Sequence, residues 1–187
     1  MEPAKHDSGF RSHRHPQCFI PRNMSRMSSL MKGMIGGALA GLATCAVAAL
    51  CAKAERQPAV SALNSTSHIV WGDGAADQAS ASWQYTGTGI ALNELALVFW
   101  GLIYELWSHS AIGASMSPLS RGATVSVLAY ITDYHLIPRR FTPGFEKRLS
   151  PGSLFSIYCA IAVSLPVAMK VVGPLKGMDF RGTPTAT

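Results

Sequence analysis

The sequence predicts an all-α polytopic membrane protein, a bundle of four transmembrane helices. Charged residues make up 14% of the 187 residues and hydrophobic residues 48%, against about 25% charged in an ordinary soluble domain. The charges gather at the ends and between apolar stretches rather than along a helix face. Those stretches run to about 20 residues, which at roughly 1.5 Å per residue crosses a ~30 Å hydrocarbon core. This patterning excludes a disordered chain and argues against a soluble α/β enzyme. The formal net charge of +6 would suggest nucleic acid in a soluble protein. Here the basic residues flank apolar segments, as they do in membrane proteins. No aromatic-interleaved basic patch or zinc-knuckle spacing accompanies them, so no nucleic-acid partner is expected.

Taken in order, residues 1–30 read as a basic disordered tail, interrupted by Pro3, Pro16 and Pro21 with little to bury. The membrane domain is expected over 31–175 and a second disordered tail over 176–187. The first helix, about 33–52, carries no charge. A signal peptide is the competing reading, with Ala52-Lys53-Ala54 as a cleavage site, but the stretch exceeds the usual apolar core of about 7–15 residues. Leu50 before Cys51 also fails the lipoprotein pattern. Gly33, Gly37 and Gly41 recur every fourth residue, marking one helix face where another backbone can approach. That face serves either packing within the chain or a homo-oligomer.

Residues 53–83 form a mixed loop in which Trp71 suits the headgroup level and Asn64-Ser65-Thr66 formally matches an N-glycosylation acceptor. The second helix is expected over about 87–107, the third over 119–135 and the fourth over 150–170. The third is diluted by Ser120, Thr124, Ser126 and Thr132, small hydroxyl residues that are normal at packed helix faces in membranes. In the fourth, Pro166 is expected to bend the exit. Four crossings put both termini on one side. Lys53, Arg56, Arg139, Arg140, Lys147 and Arg148 then lie opposite, leaving ten of the sixteen Lys and Arg with the termini. The positive-inside rule makes the terminal side cytoplasmic.

The same topology gathers His68, Asp73, Asn93, Glu94, Asp133 and His135 toward the opposite side. Glu94 is expected about 10 Å below that surface, where an ionisable group is costly and points to function. Three readings stay open for this polar cluster. It can be structural, with Glu94 hydrogen-bonded between helices and Asp133 paired to Arg139 or Arg140. It can be a proton or ion relay of Glu94 with His68 or His135. It can be a metal-dependent enzyme centre, although no tight His-x-x-x-His spacing supports one. Glu105 lies three turns from Glu94 on the same face, either extending a polar path or ending the helix near His109. The four cysteines include no C-x-x-C pair, so neither a disulfide framework nor a cysteine metal site is expected, and no cofactor is implied. The connector Ile137–Pro151 carries Arg139, Arg140, Lys147 and Arg148 against Glu146, a basic face suited to anionic lipid headgroups or simply an amphipathic link. The lipid bilayer is thus the expected partner.

Several segments resemble small uncharacterised bacterial inner-membrane proteins. They are Asn64-Ser65-Thr66-Ser67-His68 with Trp71-Gly72-Asp73, then Phe99-Trp100-Gly101-Leu102-Ile103-Tyr104-Glu105. Thr132-Asp133-Tyr134-His135 follows, with Pro138, Arg140 and Thr142-Pro143-Gly144-Phe145-Glu146. The resemblance runs from about Gly33 to Met169 and implies residence in a bacterial inner membrane, but no activity. In that pattern a Trp follows the loop histidine and a histidine pair stands near the start of the second helix. This chain has Ile69 and Asn93-Glu94 there, which weakens a histidine-rich metal site. The functional expectation is therefore a non-enzymatic envelope or structural membrane protein. A small proton-coupled transporter or channel and a membrane-embedded metal-dependent enzyme are the alternatives.

Overall fold

The computed structural model describes residues 22–173, and among them every regular element is helical. The long elements are α1 (Arg22–Ala54), α4 (Thr88–Ser108), α6 (Pro118–Ile131) and α7 (Pro151–Val172). Between them lie the short helices α2 (Ser61–Thr66), α3 (His68–Trp71) and α5 (Ala111–Ser115). Among the described residues three helical stretches are long and apolar enough to cross a membrane: Ser28–Ala54, Trp83–Ser108 and Pro151–Val172. The first helix starts at Arg22, so residues 22–30, expected in the tail, extend it instead. The rest of that tail and the tail over 176–187 lie outside the described residues.

Local chemistry sets the ends. Ser117 and Ser150 each accept a backbone N–H three residues on, with proline at the first helical position of α6 and α7, where a missing N–H costs nothing. Helix α1 stops with Arg56 at φ 60° while Arg56 N and Gln57 N bond back to Lys53 O and Ala52 O, a left-handed cap that uses up otherwise unpaired carbonyls. Past Ile131 the chain widens into a π-turn, Thr132–Leu136. Helix α7 continues through Pro166 to Val172.

The long helices run antiparallel to their neighbours. α1 lies between α4 and α7, and α6 leans on α7 with a lighter contact to α4. A Cβ placed on Gly33 would meet Leu102, on Gly37 Leu97 and Val98, and on Gly41 the Glu94 carboxyl. The glycine face is thus covered by α4 of the same chain. One apolar core fills the bundle, with Leu97, Trp100, Tyr104, Val125, Ala129, Ile161 and Leu165. A second lies under a cap at one end, where Ala48, Ala52, Leu63, Phe145, Leu149 and Ile157 meet.

That cap is the largest departure from expectation. The segment read as a loop folds back on the bundle, and every residue from Ser61 to His68 is buried. Most of its polar side chains tolerate this because they bond backbone carbonyls. Ser65 Oγ donates to Ala62 O at 2.6 Å and Ser67 Oγ to Asn64 O at 2.7 Å. Asn64 Nδ2 donates to Gln78 O and Ser80 O at 2.8 and 3.1 Å, so the nitrogen of the formal glycosylation acceptor is occupied and inaccessible. The connector before α7 closes over the cap. Gly144, at φ 82°, is where a Cβ would press on Ser65 O and on His68 Nδ1. Lys147 pairs with Asp73, Arg148 pairs with Asp77 at 2.8 Å, and Gln57 Nε2 donates to Arg148 O.

Candidate functional site

The six residues of the expected polar cluster all sit toward the capped half of the bundle, but in five separate surroundings. Asn93 and Asp133 line one partly open cavity of about 120 Å³ with Thr44, Thr66, Trp100, Tyr158, Phe141 and Phe145. Its lining is mostly apolar, with these few polar groups set into it. Asp133 does not pair with Arg139 or Arg140; its Oδ2 accepts from Tyr158 Oη at 2.7 Å. Asn93 Nδ2 donates to Gly41 O and to Cys45 Sγ, both at 3.2 Å, tying α4 to α1. Thr66 Oγ1 is buried without a partner.

Glu94 lies outside this cavity, in the α1–α4 seam against Gly41, with Oε1 buried and unpartnered. His68 is 1% exposed under Gly144; its Nδ1 meets Ser65 O at 2.8 Å and its Nε2 has no partner. His135 is exposed, its ring 5.6 Å from that of Tyr130. Among the described residues no three of His, Cys, Asp and Glu converge as metal ligands would. The seam also separates Glu94 from Glu105. Between them the backbones of Gly37 and Gly101 are pressed together, leaving no room for a polar path. Glu105 is nearly fully buried, Lys32 reaches Oε2 at 3.1 Å, and His109 Nε2 meets Oε1 at 3.2 Å. It anchors α4 to α1 at the uncapped end.

Outside the cap an open cleft of about 660 Å³ is lined by Asp73, Tyr134, Arg139, Arg140, Thr142, Glu146 and Lys147. Asp73 is exposed, and the hydrogen bond and charge of Lys147 hold its carboxyl below its usual range. Of the four cations expected to meet headgroups, Lys147 and Arg148 are taken up by Asp73 and Asp77. Arg139 and Arg140 are exposed and form no ion pair among the described residues. Glu146 pairs with no cation among the described residues either; Thr142 Oγ1 and Tyr134 Oη donate to it at 2.8 and 3.1 Å. Sequence reasoning missed Glu55, which accepts from Ser150 N, Ser150 Oγ and Ser153 Oγ and ties the end of α1 to the start of α7. Its only advance signal is a Ser-Pro helix start elsewhere in the chain. No protein-family model matches the chain, and neither a curated protein nor a solved structure is significantly similar to it.

Proposed function

We propose that the chain is a non-enzymatic integral membrane protein of a bacterial inner membrane, with four crossings and cytoplasmic termini. The carrying observation is how the polar groups within the long helices are used. Asn93 donates to α1, Ser126 Oγ to Tyr158 O at 2.5 Å, Tyr158 to Asp133, Tyr104 Oη to Pro118 O at 3.1 Å, and Lys32 meets Glu105. Each joins two elements of the bundle, which is how polar residues act as helix–helix links in lipid. The fourth crossing is supported by α6 and its π-turn running alongside α7. The start of α6 meets Tyr104 on α4, and Asp133 at its far end meets Tyr158 on α7. Residence in a bacterial inner membrane rests on the sequence resemblance, and orientation on the distribution of Lys and Arg. Reporter fusions at Ser80, Ile112 and Phe145 test the topology. The expected result is outside, inside, outside. If Ile112 and Phe145 report the same side, α6 does not cross.

A second reading, proton-coupled transport, draws on one observation, the unpartnered buried oxygen of Glu94. Its test is proton flux in liposomes, with wild type beside Glu94→Gln. Flux abolished by a variant that still folds supports transport, and no flux in wild type removes it.

A further inference from the structure

We infer that the capped end holds a specific binding site for a phospholipid with a primary amine in its headgroup. The head sits in the cleft beneath Arg139, Arg140 and Glu146, and one acyl chain lies in the groove between α6 and α7. The inference rests on the chain being a membrane protein, and two independent features support it.

The first is the groove. An apolar channel of about 410 Å³ runs between α6 and α7, lined by Ala123, Val127, Tyr130, Leu154, Phe155 and Cys159 among others. Its lining on α7 extends from Pro151 to Ala162. That is about 16 Å along the axis, half of a ~30 Å hydrocarbon core and so the depth of one leaflet. At the bottom α6 and α7 close together, because a Cβ on Gly122 would run into Ala162 O. The groove is therefore a one-leaflet slot that opens toward the capped end.

The second is the charge at its mouth. Tyr130 walls the groove, and its ring lies 5.2 Å from Tyr158 and 5.3 Å from Tyr134. Tyr134 in turn lines the cleft and donates to Glu146. The slot and the cleft thus share a continuous aromatic wall. Beside the Asp73–Lys147 pair, the cleft presents two guanidiniums, Arg139 and Arg140, and the Glu146 carboxylate, none of them in an ion pair among the described residues. A phosphate answers the guanidiniums, with the fork geometry Arg offers. An ammonium that retains its N–H groups answers Glu146. An anionic headgroup lacking an amine leaves Glu146 opposed by like charge, and a quaternary amine offers it no hydrogen-bond donor. Depth agrees as well. Trp83, Trp71 and Phe141 at this end are 94%, 50% and 55% exposed, and exposed aromatic side chains of this kind mark headgroup level.

The test uses the full chain in phosphatidylcholine nanodiscs containing a trace of phosphatidylethanolamine with a diazirine in its acyl chain. Labelled residues are read by peptide mass spectrometry. Label is expected at Ala123, Val127, Phe155 and Cys159, competed by unlabelled phosphatidylethanolamine about tenfold better than by phosphatidylcholine or phosphatidylglycerol, the size of one charge-assisted hydrogen bond. Glu146→Gln should abolish that preference while keeping the labelled positions. Replacing both Arg139 and Arg140 with Ala should lower groove labelling for every phospholipid. Leu42 and Leu50, exposed on α1, are the control. Label there equal to the groove, or equal competition by all three lipids, overturns the site while leaving the membrane reading intact. No label at either place overturns both. Soluble phosphoethanolamine should compete poorly, and competition equal to the lipid would assign the cleft to a free headgroup.

Discussion

The α1–α4 and α6–α7 contacts are both built on small residues, yet they end in opposite states. Along α1, Gly33, Gly37 and Gly41 meet α4 through its backbone, at Leu102, Leu97 and Val98, and then through the Glu94 carboxyl. The seam is closed throughout. Between α6 and α7 only Gly122 allows such an approach. Above it Ser126 and the tyrosines take over, and the helices part to leave the groove. The difference lies in repetition. A glycine every fourth residue holds two antiparallel helices together over several turns, whereas one glycine makes a pivot from which they diverge. Pro166 belongs to that pivot. It lacks the N–H that would bond Ala162 O, and this carbonyl faces Gly122.

The largest effect is expected where the seam has no give. In Gly37→Ala the new methyl meets the main chain of Leu97 and, at 2.7 Å, Val98 Cα. Adjacent Gly36→Ala meets only the Met169 thioether, at 2.6 Å, the mobile end of a flexible side chain. Gly37→Ala should cost about 3 kcal/mol, the upper end of overpacking, and Gly36→Ala under about 1 kcal/mol. Thermal unfolding in detergent measures both. Equal losses would mean the seam is no tighter than its flank.

Next is the pivot. Gly122→Ala pushes α6 off Ala162 O and Pro166 and should cost about 1–3 kcal/mol. It should also widen the groove, read as faster alkylation of Cys159, which is exposed on its wall. An unchanged Cys159 rate with lost stability would place the strain elsewhere. A smaller effect is expected for Asn93→Leu, which removes the links to Gly41 O and Cys45 Sγ. Links of this kind within membranes average about 0.6 kcal/mol, so a loss near 1 kcal/mol in the same assay is expected. A gain in stability would show that Asn93 is kept for the cavity it lines rather than for the seam.

These contrasts show what could be read in advance. Long apolar runs mark α1, α4 and α7, charge-free over 33–52 in α1 and broken in α4 by Glu94 and Glu105, since a run of about 20 mostly apolar residues is the length a membrane crossing needs. The spacing of Gly33, Gly37 and Gly41 marks a face for close approach, but spacing names a face and not the neighbour that fills it. The cap was hidden for a different reason. Asn64, Ser65, Thr66 and Ser67 look like solvent-facing loop residues, and the partners that let them be buried, such as Gln78 O and Ser80 O, lie up to 16 residues away. Topology alone gathers the polar residues toward one end, but side-chain direction decides who meets whom. Asp133 turns to Tyr158, Glu94 to Gly41 and His68 under Gly144.

The smallest effect concerns the exposed tie that joins the end of α1 to the start of α7. Glu55 accepts from Ser150 Oγ at 2.6 Å and from Ser153 Oγ at 2.5 Å, and these bonds hold its carboxyl below the usual value, with burial opposing them only slightly. A carboxyl whose folded pKa is depressed binds its proton less readily when folded. Its contribution is therefore complete above the unfolded pKa of about 4.3 and is lost as pH falls through the folded value. At pH 7 Glu55→Gln should lower the melting temperature slightly, since the site is solvent-exposed and charge there is screened. Below about pH 4 the wild-type curve should fall toward that of the variant. Melting curves from pH 7 to pH 3 that stay parallel would show that the serines, not the charge, hold α1 to α7. The seam and groove would then differ through backbone contacts alone.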